Sequence, residues 1–181
     1  MSSVGEGARR ETLAQIAAQA NATGGPIGGM SNQTTAGAEG GFATHICDVE
    51  IDPETGTSRV LRYIAVEDVG TVLNPLLLDG QIHGGIAQGL GMTLMEEYVP
   101  GQTDNLHDYL IPTIGDVPPI EVILIEDPEP LGPYGAKGVG EPALIPTPPA
   151  ILGAIRHATG IQMKFVPVTP HRLRAAINEK M

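Results

Sequence analysis

Thiols are almost absent from this chain: one cysteine, Cys47, stands among 181 residues. A single thiol closes no intrachain disulfide, and without a companion ligand cluster it builds neither a zinc site nor an iron–sulfur centre. Cys47 reads instead as a small buried hydrophobe. Large aromatics are scarce too, with 2 Phe, 4 Tyr and no Trp, so a core must come from aliphatic and small side chains. Basic residues are outnumbered, 10 Lys and Arg against 21 Asp and Glu, for a formal net charge of −11. A field of that sign repels phosphate backbones and anionic lipid, which argues against nucleic acid and membrane surfaces as partners. No apolar run approaches the ~20 residues that cross a bilayer. The polar stretch Met1 to Arg10 shows no basic-then-apolar leader, and the expected location is cytoplasmic.

What is abundant is backbone punctuation, 24 Gly and 16 Pro beside an ordinary 41% of hydrophobic residues. Leu13, Ile16, Ala17 and Ala20 recur at helical spacing between Gly7 and Asn21, predicting a short helix. Gly24 to Gly41 mixes glycine with Ser, Asn and Thr and reads as a long loop. A hairpin follows, with Ala43, His45, Cys47, Val49 and Ile51 alternating against polar neighbours. Asp52-Pro53-Glu54-Thr55-Gly56 turns the chain into Val60 to Val69, apolar enough to predict burial on both faces. A helix is expected from about Leu78 to Tyr98, with Ile82, Ile86, Leu90, Leu94 and Met95 on one side. Its glycines, Gly80, Gly84, Gly85, Gly89 and Gly91, each cost ~1 kcal/mol relative to Ala, so close approach of another helix or of a cofactor must offset them. Ile120 to Ile125 reads as a strand. Thr147 as N-cap, Pro148 in the first turn and Gly160 as the stop frame another helix, followed by a strand over Met163 to Val168 and a short helix from Thr169. The fold class expected is α+β, a mixed sheet with helices. Residues 1–41 form an N-terminal helix and glycine-rich loop, and 42–181 form the main domain.

Chemistry concentrates in Gly135-Ala136-Lys137-Gly138-Val139-Gly140-Glu141-Pro142. Gly135, Gly138 and Gly140 let main chain approach a partner with bare N–H groups, and Lys137 adds a positive charge. Pro142 biases Glu141 toward extended backbone and so directs its side chain. A carboxylate held at the rim of such a loop is a candidate general base. The alternative on residue chemistry alone is a set of turn glycines, with Glu141 solvated or paired to Lys137. The loop lacks the Gly-Lys-Ser/Thr ending of a phosphate-binding P-loop, and its glycine spacing differs from the dinucleotide fingerprint.

Two stretches taken together narrow the choice. Gly84-Gly85-Ile86-Ala87-Gln88-Gly89-Leu90-Gly91 followed by Glu96-Glu97, and then Gly135 to Pro142, strongly resemble the late cofactor segments of molybdenum hydroxylase large subunits. These are the xanthine dehydrogenase, aldehyde oxidase and carbon monoxide dehydrogenase relatives. Asp108-Tyr109 to Pro112 and the hairpin Val49 to Gly56 are similar to that family as well, and the resemblance runs from about Ala43 to Asn178 and more weakly through the amino-terminal loop.

The resemblance implies the C-terminal part of the molybdopterin-binding domain, with Glu141 as the catalytic base that takes a proton from water-derived oxygen. It implies Gln88 and Gly89 on the molybdopterin side, and Lys137, Val139 and Gly140 along the pterin or metal end. The implied cofactor is molybdenum–molybdopterin, including its cytosine dinucleotide form, with iron–sulfur and FAD centres on other subunits and none on this chain. Molybdenum in such proteins is held by the pterin dithiolene. That agrees with the scatter of His45, His83, His107, His157 and His171, none of which is expected to bind metal; for His83 a satisfied packing role is preferred. The implied partners are the remaining portion of the molybdenum subunit, the iron–sulfur and FAD subunits, and a small heteroaromatic or aldehyde substrate. Family large subunits are several times longer, so the alternative is a truncated or noncatalytic interaction domain that binds no cofactor by itself.

Overall fold

A computed structural model describes residues 11–20, 22–25, 28–32 and 40–180. Two compact units divide the chain at residues 35 and 36. The first contains helix α1, Leu13–Ala20, inside the span that apolar spacing marks. Gly7 to Arg10 and Asn21, also in that expectation, lie outside the described residues, as do 26–27 and 33–39 of the expected loop.

In the second unit β1 (Ala43–Ile51) pairs antiparallel with β2 (Ser58–Asp68), and β3 (Ile120–Ile125) lies parallel to β2, giving the order β1-β2-β3. The mixed sheet and the helices behind it are the α+β class. The hairpin turn is stabilised by Asp52, whose carboxylate accepts from the Glu54 amide at 2.9 Å and the Thr55 hydroxyl at 2.7 Å. β1 alternates as its sequence does, and burial together with the charge of Asp48 pushes the Cys47 thiol up to about 11. β2 departs from the expectation of burial on both faces, because Leu61 and Arg62 are exposed near a register shift opposite Asp48 and Val49. Only its far half, from Tyr63 through Val69, is largely buried.

The inner face of the sheet is closed by α4 (Thr147–Thr159), which packs on β1 and on α2 (Pro75–Leu94). Tyr63, Ala65, Ile82, Ile86, Leu90, Ile151 and Ile155 make the core, joined by Leu173 and Ile177 from α5 (Pro170–Lys180). α2 starts three residues before the predicted Leu78, since Pro75 fits the first helical position and the Asn74 side chain accepts from the Leu77 amide at 3.1 Å. It ends at Leu94, short of Tyr98, where the amides of Met95 and Glu96 both turn back to the Gly91 carbonyl. Thr147 is not the cap of α4. Pro146 holds that place, and the Thr147 hydroxyl donates to the Ala143 carbonyl at 3.0 Å because α3 (Gly140–Leu144) leads almost directly into α4. Gly160 does stop the helix, with φ +68°. No strand forms over Met163 to Val168: the Val168 amide donates to the Thr93 carbonyl of α2 at 2.6 Å, a bond that satisfies a helix end instead of a sheet edge.

Candidate functional site

The two glycine-rich stretches meet along one seam. α3 and the start of α4 run beside α2 in the same chain direction, touching it at successive turns. A Cβ on Gly140 would come within 3.6 Å of Gln81, one on Gly85 within 2.7 Å of Ala143, and one on Gly89 within 2.5 Å of Thr147. Gly85 and Gly89 are therefore explained by helix packing, the plainer of the two readings. Gly91 is also needed for packing, since a side chain there would collide with Glu96 and Pro112. Gly80 and Gly84 are different: both are exposed and nothing lies within 4 Å of the Cβ each lacks. They bare the outer side of α2, where Gln81 and Gln88 are also exposed.

Glu141 lies in the first turn of α3, its side chain exposed and its carbonyl accepting from the Ile145 amide at 2.8 Å. The extended backbone expected from Pro142 is overridden, because a proline in the first helical turn forfeits no intrahelical N–H bond. A Cβ on Gly138 would meet nothing within 4 Å, though its carbonyl lies beside Gly41, and among the described residues the amides of Gly138 and Val139 donate to no other group of the chain. Val139 and Lys137 line a concavity of about 250 Å3 together with Val69, Thr71, Gln81 and Ala136. Glu141, Gln88, Gly89 and Gly140 lie outside it, so the predicted site residues share no single enclosed pocket. A larger concavity of about 620 Å3, walled by Ser58, Leu90, Leu94, Leu110 and Pro119, contains none of them. The α2–α3 seam is the candidate site, since the elements that meet there carry the glycine-bared backbone, the Gly138 and Val139 amides and the Glu141 carboxylate.

Lys137 does not pair with Glu141. Its ammonium donates to Asp68 at 2.6 Å, with Asp127 at 3.8 Å, and its side chain is 4% exposed. The hydrogen bond from Lys137 holds the Asp68 carboxyl below the usual carboxylate range, and the same bond raises the Lys137 ammonium. Sequence reasoning missed Asp68 and Gly70. The signal was an acid closing an apolar strand just before a glycine, in Val66-Glu67-Asp68-Val69-Gly70. The histidines are accounted for without metal in two cases. His45 places one ring nitrogen 2.9 Å from the Tyr63 hydroxyl and the other 3.3 Å from Glu67, while His83 reaches the Asp79 carbonyl at 2.8 Å. Among the described residues no group of three or more His, Cys, Asp or Glu gathers as metal ligands.

A mixed three-stranded sheet backed by helices defines an α+β domain. The family comparison specifies which: residues 2–118 match the molybdopterin cofactor-binding domain. A xanthine dehydrogenase molybdenum-binding subunit from Escherichia coli O157:H7 is 36% identical over 156 residues, 83% of this chain and 21% of that subunit. The nicotine 6-hydroxylase large subunit of Paenarthrobacter nicotinovorans is 39% identical over 137 residues, 71% of this chain and 17% of that one. Among solved structures, aldehyde oxidoreductase from Desulfovibrio gigas superposes with TM-score 0.74 at 33% identity, covering 76% of this chain and 15% of that one. Quinoline 2-oxidoreductase from Pseudomonas putida 86 gives TM-score 0.68 at 45% identity over 72% of this chain and 18% of that chain. The chain belongs to the xanthine dehydrogenase and aldehyde oxidoreductase family of molybdenum-binding subunits. It spans about a fifth of the length of the curated relatives it matches.

Proposed function

We propose that this chain forms the late, C-terminal portion of a molybdenum hydroxylase subunit that oxidises a heteroaromatic or aldehyde substrate with water-derived oxygen. The observation that supports this is the packing of α3, whose first turn carries Glu141, against α2, where a Cβ on Gly140 would come within 3.6 Å of Gln81 and one on Gly85 within 2.7 Å of Ala143. The residues fit a flat, polar-edged group: Gly84 and Gly138 leave space where side chains would stand, the Gly138 and Val139 amides are free to donate, and Gln88 offers an exposed carboxamide. Gln88, Val139 and Gly140 would hold the molybdopterin, including a cytosine dinucleotide form. When bound, that group supplies a Lewis-acidic two-electron redox centre. Glu141 accepts the proton released as the oxygen nucleophile forms, a task for a preoriented carboxylate. The remaining walls, needed to exclude water, come from the rest of the molybdenum subunit, and electrons pass on to iron–sulfur and FAD subunits.

Glu141→Gln tests the role of the base. In the assembled enzyme it retains shape and hydrogen-bonding capacity, so molybdenum content stays at the wild-type level while kcat falls by about 10²–10⁴. Metal analysis and turnover are measured on the same preparation. Turnover near wild type would remove Glu141 from the chemistry.

A further inference from the structure

Asp68 ends β2 and divides its carboxylate between two tasks. One oxygen accepts from the Gly70 amide at 3.1 Å and the other from the Lys137 ammonium at 2.6 Å. Around this point the backbone is laced. The Lys137 amide donates to Val69 at 3.0 Å, and the Gly135 carbonyl accepts from Thr71 and Glu129, both at 2.9 Å. Gly70 and Ala136 form an isolated bridge. The loop is thus tied to the end of the central strand at Gly135 to Lys137, and only Gly138, Val139 and Gly140 separate that tie from Glu141. The ammonium is committed to Asp68, with Asp127 at 3.8 Å. Its positive charge is answered within the chain.

We infer that Asp68 and Lys137 act as one positioning device: the part-buried ion pair fastens the Gly135–Gly140 loop to the end of β2, and Lys137 serves cofactor and base through that hold instead of by contact. Removing either charge takes away the other's main partner, so the two losses should be similar in kind. The consequence for catalysis rests on the proposed role of Glu141, whereas the hold on the loop does not.

The test is a double-mutant cycle on the full chain, read by amide hydrogen exchange, with Asp68→Asn, Lys137→Gln and both together. Each single variant is expected to speed exchange at Thr71 and at position 137 by on the order of tenfold, and the double variant to be no faster than the worse single one. Wild-type protection in Asp68→Asn, or effects that multiply in the double variant, would overturn the pairing. Should Lys137→Gln melt too low to measure, Asp68→Asn alone decides, by losing or keeping that protection. In the assembled enzyme, molybdenum content and kcat should fall together in both single variants. A loss confined to Lys137→Gln would instead show direct contact with the cofactor. If Glu141→Gln leaves turnover intact, the base assignment fails while the exchange result keeps its meaning.

Discussion

Gly70 shows how one residue can fix the geometry of a site. Its φ of +67° belongs to the left-handed region, and the Cβ it lacks would collide with the Gly135 carbonyl and come within 2.9 Å of the Lys137 amide nitrogen. Any side chain therefore pays twice, in backbone strain and in displacing the loop that leads to Glu141. Gly70→Ala is expected to destabilise the chain by about 1–3 kcal/mol, the range for a residue forced into a sparsely populated conformation. Urea unfolding measures it directly, and a change below about 0.5 kcal/mol would mean that the strand end and the loop are not in fact wedged together. Sequence reasoning passed over this glycine because the close approach is invisible there: Gly135 lies far along the chain.

At the level of elements, the periodic ones were legible. Alternation from Ala43 to Ile51, the apolar spacing of Ile82, Ile86 and Leu90, and the αL stop at Gly160 each express a local rule, and the elements appear where the rule applies. Where the outcome depends on a distant group the reading failed. Met163 to Val168 is apolar enough for a strand, but the Val168 amide is committed to Thr93. Glu141 is helical because α3 forms against α2. The glycines of α2 divide in the same way. They look alike in sequence, yet Gly89 faces Thr147 at 2.5 Å from its missing Cβ while Gly84 faces nothing within 4 Å. Ala in place of Gly gains up to about 1 kcal/mol of helix propensity, and overpacking costs about 1–3 kcal/mol. Gly84→Ala should therefore raise the urea midpoint and Gly89→Ala lower it. If Gly84 is bare for the cofactor's sake, the stabilised Gly84→Ala chain will also carry less molybdenum in the assembled enzyme. Both variants shifting in one direction would rule out the division.

For the molecule as a whole, charge sets two opposing trends with pH. At pH 7 the net charge is −11, and self-repulsion of that charge relaxes as acid adds protons. Against this stand carboxyls held below their usual range: Asp52 by the Thr55 hydroxyl, Asp68 by Lys137, and Asp116 by the Thr113 amide. A depressed folded-state pKa means that the folded chain releases its proton more readily than the unfolded one. The stability it confers is complete above the unfolded value, near 3.9, and drains away as pH falls through the lower folded value. Repulsion is screened and diffuse, whereas these hydrogen bonds are local, so the second trend should win once it begins. The urea midpoint is expected to hold or rise slightly from pH 7 to about 5 and then to drop below about pH 4. Added salt should flatten the first part of the curve, and Asp68→Asn should make the acid limb shallower because one of its contributors is gone. A midpoint that continues to climb below pH 4, or an acid limb unchanged in Asp68→Asn, would show that the Asp68–Lys137 pair contributes no stability in solution.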